Sequence, residues 1–216
     1  MELTHYFIDL LHRDAAMELI RMGVVYAHLL ACCVALGMVL VSDFTLLHKL
    51  VTGRSTEEDG NHLDTLKRII SYALVALWIS GALVVGLDML GKGTQYLLNP
   101  KLQAKILVVT LLTLNGFALH AYIMPTIKRA GCILKLPASE RDLAIFSGTV
   151  SAVSWLYAAM LGVGRPLSWK YSLAEILAAY PLLIIGGFAL TLLLVKWRKG
   201  AQPQPQFGYA GIIAHG

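Results

Sequence analysis

Two residues of this chain bring charge and proton chemistry into stretches that read as hydrocarbon. Lys105 lies inside the apolar run 102–123, and His28 inside the run 22–41. An ionisable group in the membrane core costs roughly 2.5–3.5 kcal/mol on insertion scales, so such groups turn towards protein and are tied to function. An imidazole is the commonest metal ligand and an axial ligand of b-type haem. An ammonium in low dielectric holds an anion strongly if its own desolvation is offset. Together the two residues suggest a shared site.

Other groups join them by depth. At about 1.5 Å per residue, His28 lies roughly 9 Å and Lys105 roughly 5 Å below the same boundary. Asp88 ends its apolar run near that layer and is a candidate counter-charge for Lys105. A second layer contains Asp43, His48 and His120. At about 100° per residue, His28, Cys32, Ala35, Val39 and Asp43 fall within a stripe of about 60°. Lys105 and His120 fall within about 60° of each other, whereas His48 points about 160° away from His28. His28-x-x-x-Cys32 sets an imidazole and a thiol one turn apart, a donor pair that suits copper or zinc. Each candidate also has a plain structural reading. His28 could be a neutral histidine bonded to a neighbouring helix, Lys105 could snorkel to the interface, and Cys32 could be a small core filler.

The elements that position these groups are membrane helices. The chain has 216 residues, 57% hydrophobic and only 14% charged, where a soluble domain is nearer a quarter charged. About 20 apolar residues cross a bilayer as a helix. Five stretches reach that length, at about 22–47, 69–90, 102–127, 143–163 and 173–195. The expected fold is all-α, a polytopic bundle preceded by a short amphipathic helix over 1–16 with Leu3, Phe7 and Leu10 on one face. One bundle domain over 1–198 and a flexible Pro/Gln tail over 199–216 complete the chain. Asn99-Pro100 predicts a helix start, and Ser139-x-x-Asp142 and Ser172-x-x-Glu175 resemble capping boxes. Pro125 and Pro166 mark ends, and Pro181 should kink the fifth span.

Seven Lys and Arg fall on one side of these spans and eleven on the other. The richer side is expected to be cytoplasmic, with the N-terminus periplasmic and the C-terminus inside. The bacterial inner membrane is the location expected for this protein. No apolar leader precedes the first span. The net charge of +5 follows membrane topology and gives no reason to expect nucleic acid. Cys32, Cys33 and Cys132 do not form a disulfide framework. No Walker-type loop, H-E-x-x-H or C-x-x-C is present. Ser147, Ser151, Ser154 and Ala158 line one face of the fourth span, where they serve close helix packing or the edge of a flat cofactor. Trp78 and Trp155 lie near mid-bilayer, where core packing is the simpler reading.

The segments YAHLLACCVALGMVLVSDFTLLHKL (26–50) and NPKLQAKILVVTLLTLNGFALH (99–120) resemble the HemJ/CopD-like group of small integral membrane proteins. In HemJ-type members an early histidine opens the first helix, a glycine follows, and a second histidine closes it. A later helix begins with a lysine and carries a histidine towards its end. His28, Gly37, His48, Lys105 and His120 stand in that order. The resemblance implies a four-helix core that holds b-type haem, with His28 as axial ligand and Lys105 important for activity at the haem or substrate.

Three functions are open on this basis. The first is a haem-dependent membrane oxidoreductase whose partner is a quinone or porphyrin-like molecule. The second is a copper or other metal-handling protein using His28, His120 and Cys32. The third is a non-catalytic subunit that anchors a membrane partner or a second copy of itself.

Overall fold

The computed structural model describes residues 2–52, 60–131 and 136–201. Six α-helices follow in order: α1 Glu2–Thr52, α2 Gly60–Lys92, α3 Pro100–Ala118, α4 Met124–Ala130, α5 Ala138–Val163 and α6 Leu173–Ala201. A π-helical turn, Leu119–Ile123, joins α3 to α4, and 3₁₀ turns occupy Thr94–Leu98 and Arg165–Leu167. There is no strand among the described residues. Five segments are long and apolar enough to cross a membrane: Ala15–His48, Asp64–Lys92, Pro100–Ala130, Ala138–Val163 and Leu173–Trp197. The chain is therefore an all-helical bundle of multi-pass membrane type. The cluster Arg54, Glu57, Glu58 and Asp59, together with Cys132 and the tail from 202 onward, lies outside the described residues. So do the side chains of the expected amphipathic face over 2–14, although that segment is helical and runs unbroken into the first span.

Burial follows the logic of a bilayer. Leu29, Leu30, Val34, Phe117, Tyr122 and Leu182 are all exposed, as lipid-facing positions can be without cost. The buried set is small and forms three patches along the bundle. Ala104, Val108, Tyr157, Leu161, Ile176 and Tyr180 join α3, α5 and α6 at the end that carries Asp88. Ala35, Val39, Ala73, Leu112 and Trp155 join α1, α2, α3 and α5. Ile123, Leu136, Ala144, Ile145 and Val195 close the end that carries Asp64. Helix α5 takes part in all three patches, and its small residues allow the close approach. Ser154 is fully buried and bonds Tyr180 Oη at 2.8 Å. A Cβ on Gly187 of α6 would stand 3.0 Å from Thr149 Cγ2, so that helix pair is as close as glycine permits. The small-residue stripe of α5 thus serves helix packing. Trp155 is buried as expected, but Trp78 is exposed on α2 and donates to Thr113 Oγ1 at 3.1 Å.

The helix boundaries test the cap expectations individually. Asn99 caps α3, its Oδ1 accepting from Lys101 N at 3.0 Å, with Pro100 at the first position. Ser172 and Glu175 form the expected reciprocal box, with Ser172 N donating to Glu175 Oε2 at 2.8 Å. Ser139 does not cap. Helix α5 starts from Pro137, whose carbonyl takes Arg141 N–H at 2.9 Å, so Ser139 already lies within the first turn. Pro125 does not end its helix either. The π turn before it absorbs the missing N–H, with Met124 N–H reaching back to Leu119 O, and the helix continues to Ala130. Gly131 then takes the left-handed conformation (φ 71°) that ends it. Pro181 sits inside α6, as expected. Tyr157 Oη donates to the carbonyl of Ile176, one turn before the proline.

Two outcomes follow for stability in detergent. Asn99 is buried and its amide also donates to Ser168 Oγ at 2.8 Å, so Asn99→Ala should cost about 1–2 kcal/mol in equilibrium unfolding. Trp169 holds φ 61°, a strained value for a bulky side chain, and is exposed. Trp169→Gly should therefore leave stability unchanged or raise it by about 1 kcal/mol.

Candidate functional site

His28 is held by α2 through a short relay. Its Nδ1 lies 2.8 Å from Ser80 Oγ, and Ser80 Oγ lies 2.6 Å from the Ala76 carbonyl one turn back. A hydroxyl has one hydrogen, and the carbonyl can only accept. Ser80 therefore donates to Ala76 and accepts from Nδ1–H of His28. That fixes the tautomer and leaves the lone pair on Nε2. The packing is close, since a Cβ on Gly81 would stand 3.5 Å from His28 Cε1. Ser80 is buried and His28 half-buried.

Lys105 rises from the first turns of α3 into the same layer. It is half-buried, and its charge acts on both His28 and Cys32. It makes no ion pair with any described residue. The stripe of α1 faces the interior: Ala35 and Val39 are buried, while His28, Cys32 and Asp43 are half-buried. Lys105, near the start of α3, and His28, in the first half of the first span, both lie towards the Asp88 end of the bundle.

Asp88 does not serve as the counter-charge of Lys105. Its Oδ1 takes Arg21 Nε at 3.0 Å and Lys92 Nζ at 3.2 Å. Arg21 arrives from α1, and Lys92 is one turn ahead of Asp88 on its own helix, so both reach it directly. Asp88 is buried under these partners and ties α1 to α2. Lys92 also stands 4.8 Å from the Tyr96 ring centroid.

At the opposite end lie Asp43 and His120 of the second layer. Asp43 Oδ2 and His120 Nδ1 are each buried without a hydrogen-bond partner among the described residues. His120 belongs to the π turn that accommodates Pro125, which rotates it relative to a regular helix. His48 is exposed at the end of its span. Among the described residues no three of His, Cys, Asp and Glu come together to hold a metal. His28, Cys32 and His120 therefore do not form one centre. Lys105 and His120 are 15 positions apart on one span, roughly 22 Å along the axis.

Sequence reasoning missed several polar groups that position these helices. Ser80 is the most important. Asn115 is another: its Nδ2 donates to Ser147 O at 3.0 Å while Ser147 Oγ donates to Asn115 Oδ1 at 2.9 Å, clamping α3 to α5. Both sit in apolar runs, so the signal that marks His28 also marks them. Two cavities are present at the Asp88 end. One of about 210 Å³ is lined by Tyr157, Met160, Leu167, Tyr171, Glu175, Ile176 and Ala179. The other, of about 380 Å³, is lined by Lys92, Gln95, Tyr96 and Trp169.

No protein-family model, no curated protein and no solved structure matches this chain.

Burial and the Asp88 carboxylate hold the Tyr96 phenol above its ordinary value of 10.0. A pKa raised on folding contributes stability that is complete below pH 10.0 and is lost as pH rises through the folded value. Tyrosinate absorbance should show this ionisation above pH 10.0, and Tyr96→Phe should remove that step and the accompanying loss of stability. A step at or below the ordinary value would contradict the contact with Asp88.

Proposed function

We propose that this chain is a bacterial inner-membrane redox protein that binds b-type haem through His28, with Lys105 as the cation beside it. The supporting observation is the His28–Ser80–Ala76 relay, which commits Nδ1 and leaves Nε2 free to ligate. Outer partners of this kind hold a ligating imidazole in one tautomer and raise its basicity. The donor set fits one axial position and one carboxylate-bearing edge. Haem, when bound, would supply one-electron chemistry.

The chain's own residues divide the work. Ser80 orients the imidazole. Lys105, without an internal ion pair, offers its charge to a propionate or to an anionic quinone-like substrate. The lipid-facing walls of α1 and α3 keep bulk water from this layer. His120 belongs to the other end of the bundle and does not supply a second ligand at the same layer. The copper alternative has only His28 and Cys32 adjacent, one donor short of a group of three. The Lys and Arg distribution favours a His28 layer towards the periplasm and a cytoplasmic C-terminus.

The test is absorbance of the purified protein titrated with haem. Wild type should develop a Soret band, His28→Ala should lose it, and Lys105→Ala should weaken haem binding roughly tenfold or more. No band in wild type after haem loading overturns the proposal. Stoichiometric copper that depends on His28 and Cys32 would put metal handling in its place. A stable co-purifying membrane partner without any cofactor would point to an assembly subunit.

A further inference from the structure

A second feature of the Asp88 end has no part in the His28 layer. The cavity of about 380 Å³ is walled by Lys92, Gln95, Tyr96 and Trp169. It lies where the turn after α2 meets the turn after α5, at the end of the membrane-spanning segments. Pockets of this size take small-molecule and headgroup ligands.

We infer that this cavity is a site for the anionic headgroup of a membrane phospholipid. The charge balance favours an anion. Asp88 is one carboxylate facing two described cations, Arg21 and Lys92. Lys92 sits at the rim itself and is more than half exposed. The surrounding surface favours a lipid over a soluble anion. Leu90, Leu97 and Leu98, next in sequence to the lining residues Lys92 and Tyr96, are exposed and available to acyl chains. Tyr and Trp suit the headgroup level because one end of each ring is apolar and the other polar. Basic pockets between membrane helices hold lipid headgroups on the cytoplasmic side of membranes, and the same attraction of a cation for a phosphate would act at this end.

The backbone of Trp169 supplies an independent observation. It is the one non-glycine residue at positive φ among the described residues, and its side chain forms one wall of the cavity. Strain of this kind collects at ligand clamps. Here the left-handed turn brings the indole opposite Lys92 and Tyr96, at the mouth of the site. Glycine would adopt that backbone more easily, yet would leave the cavity without this wall.

Native mass spectrometry from neutral detergent tests the site, with dioleoyl phosphatidylglycerol and dioleoyl phosphatidylcholine offered in equal amounts. Wild type should retain the anionic lipid preferentially. Lys92→Gln should reduce that retention about fivefold, as expected for one cation beside an anionic surface. Trp169→Gly should reduce it as well while folding at least as stably as wild type, which separates loss of the site from loss of the fold. Lys128→Gln, at the opposite end of the bundle, should change nothing. Equal retention of the two lipids, or unchanged retention in either site variant, overturns the inference. Displacement of the lipid by millimolar inorganic phosphate would also overturn it, by making a soluble anion the natural occupant.

Discussion

Hydrocarbon offers no hydrogen bonds, so each polar group inside the spans must find its partner in the protein. That constraint organises this bundle more than its apolar packing does. The buried apolar set is small and divided into patches, and lipid solvates the rest of each helix. What sets the rotation of one helix against another is a short list of polar bonds. His28 to Ser80 joins α1 to α2, and Asn115 with Ser147 joins α3 to α5. Ser154 with Tyr180 joins α5 to α6, and Asp88 with Arg21 joins α2 to α1. Each bond would leave an unsatisfied group in a low-dielectric medium if the helices turned, and such groups are costly.

The same constraint gives the two ends of the bundle different characters. At the Asp88 end Asp88 is paired with Arg21 and Lys92, while Lys105 makes no ion pair with a described residue. At the Asp64 end Asp43 and His120 each keep a buried atom without a partner among the described residues, and they do not meet. A cation kept close to a tautomer-fixed imidazole is an arrangement that an anionic cofactor completes. Two separate orphan atoms near a boundary lack that complementarity. The functional proposal therefore rests on the first end.

The spans and the interior-facing stripe of α1 were legible in the sequence. Apolar runs of membrane length have few alternatives, and a stripe at helical spacing carries its own orientation. That Lys105 and His28 lie towards the same end of the spans was legible too, because depth from a boundary is simple arithmetic along a helix. Partner choice was not. Asp88 was open to Lys105 by depth alone, but Arg21 and Lys92 reach it directly, and the first depends on how α1 leans on α2. A regular helical wheel cannot anticipate the π turn at 119–123, which contains His120 and precedes Pro125. Ser139 misled because Pro137 starts its helix two residues earlier, without a side-chain cap. Ser80 and Asn115 carried a visible signal, being polar residues in apolar runs, but neither is ionisable and so neither drew notice.

The central claim is spatial: Lys105 belongs with His28 and not with the inner histidine layer. Pairwise thiol cross-linking measures this directly, with cysteines introduced at 28 and 105 or at 28 and 120 in a background where Cys32, Cys33 and Cys132 are serine. A short bifunctional reagent should join 28 to 105 within one chain and should not join 28 to 120, which lies roughly 22 Å further along the span. Failure at 28–105 with efficient joining at 28–120 would separate the ammonium from the imidazole and contradict the shared site.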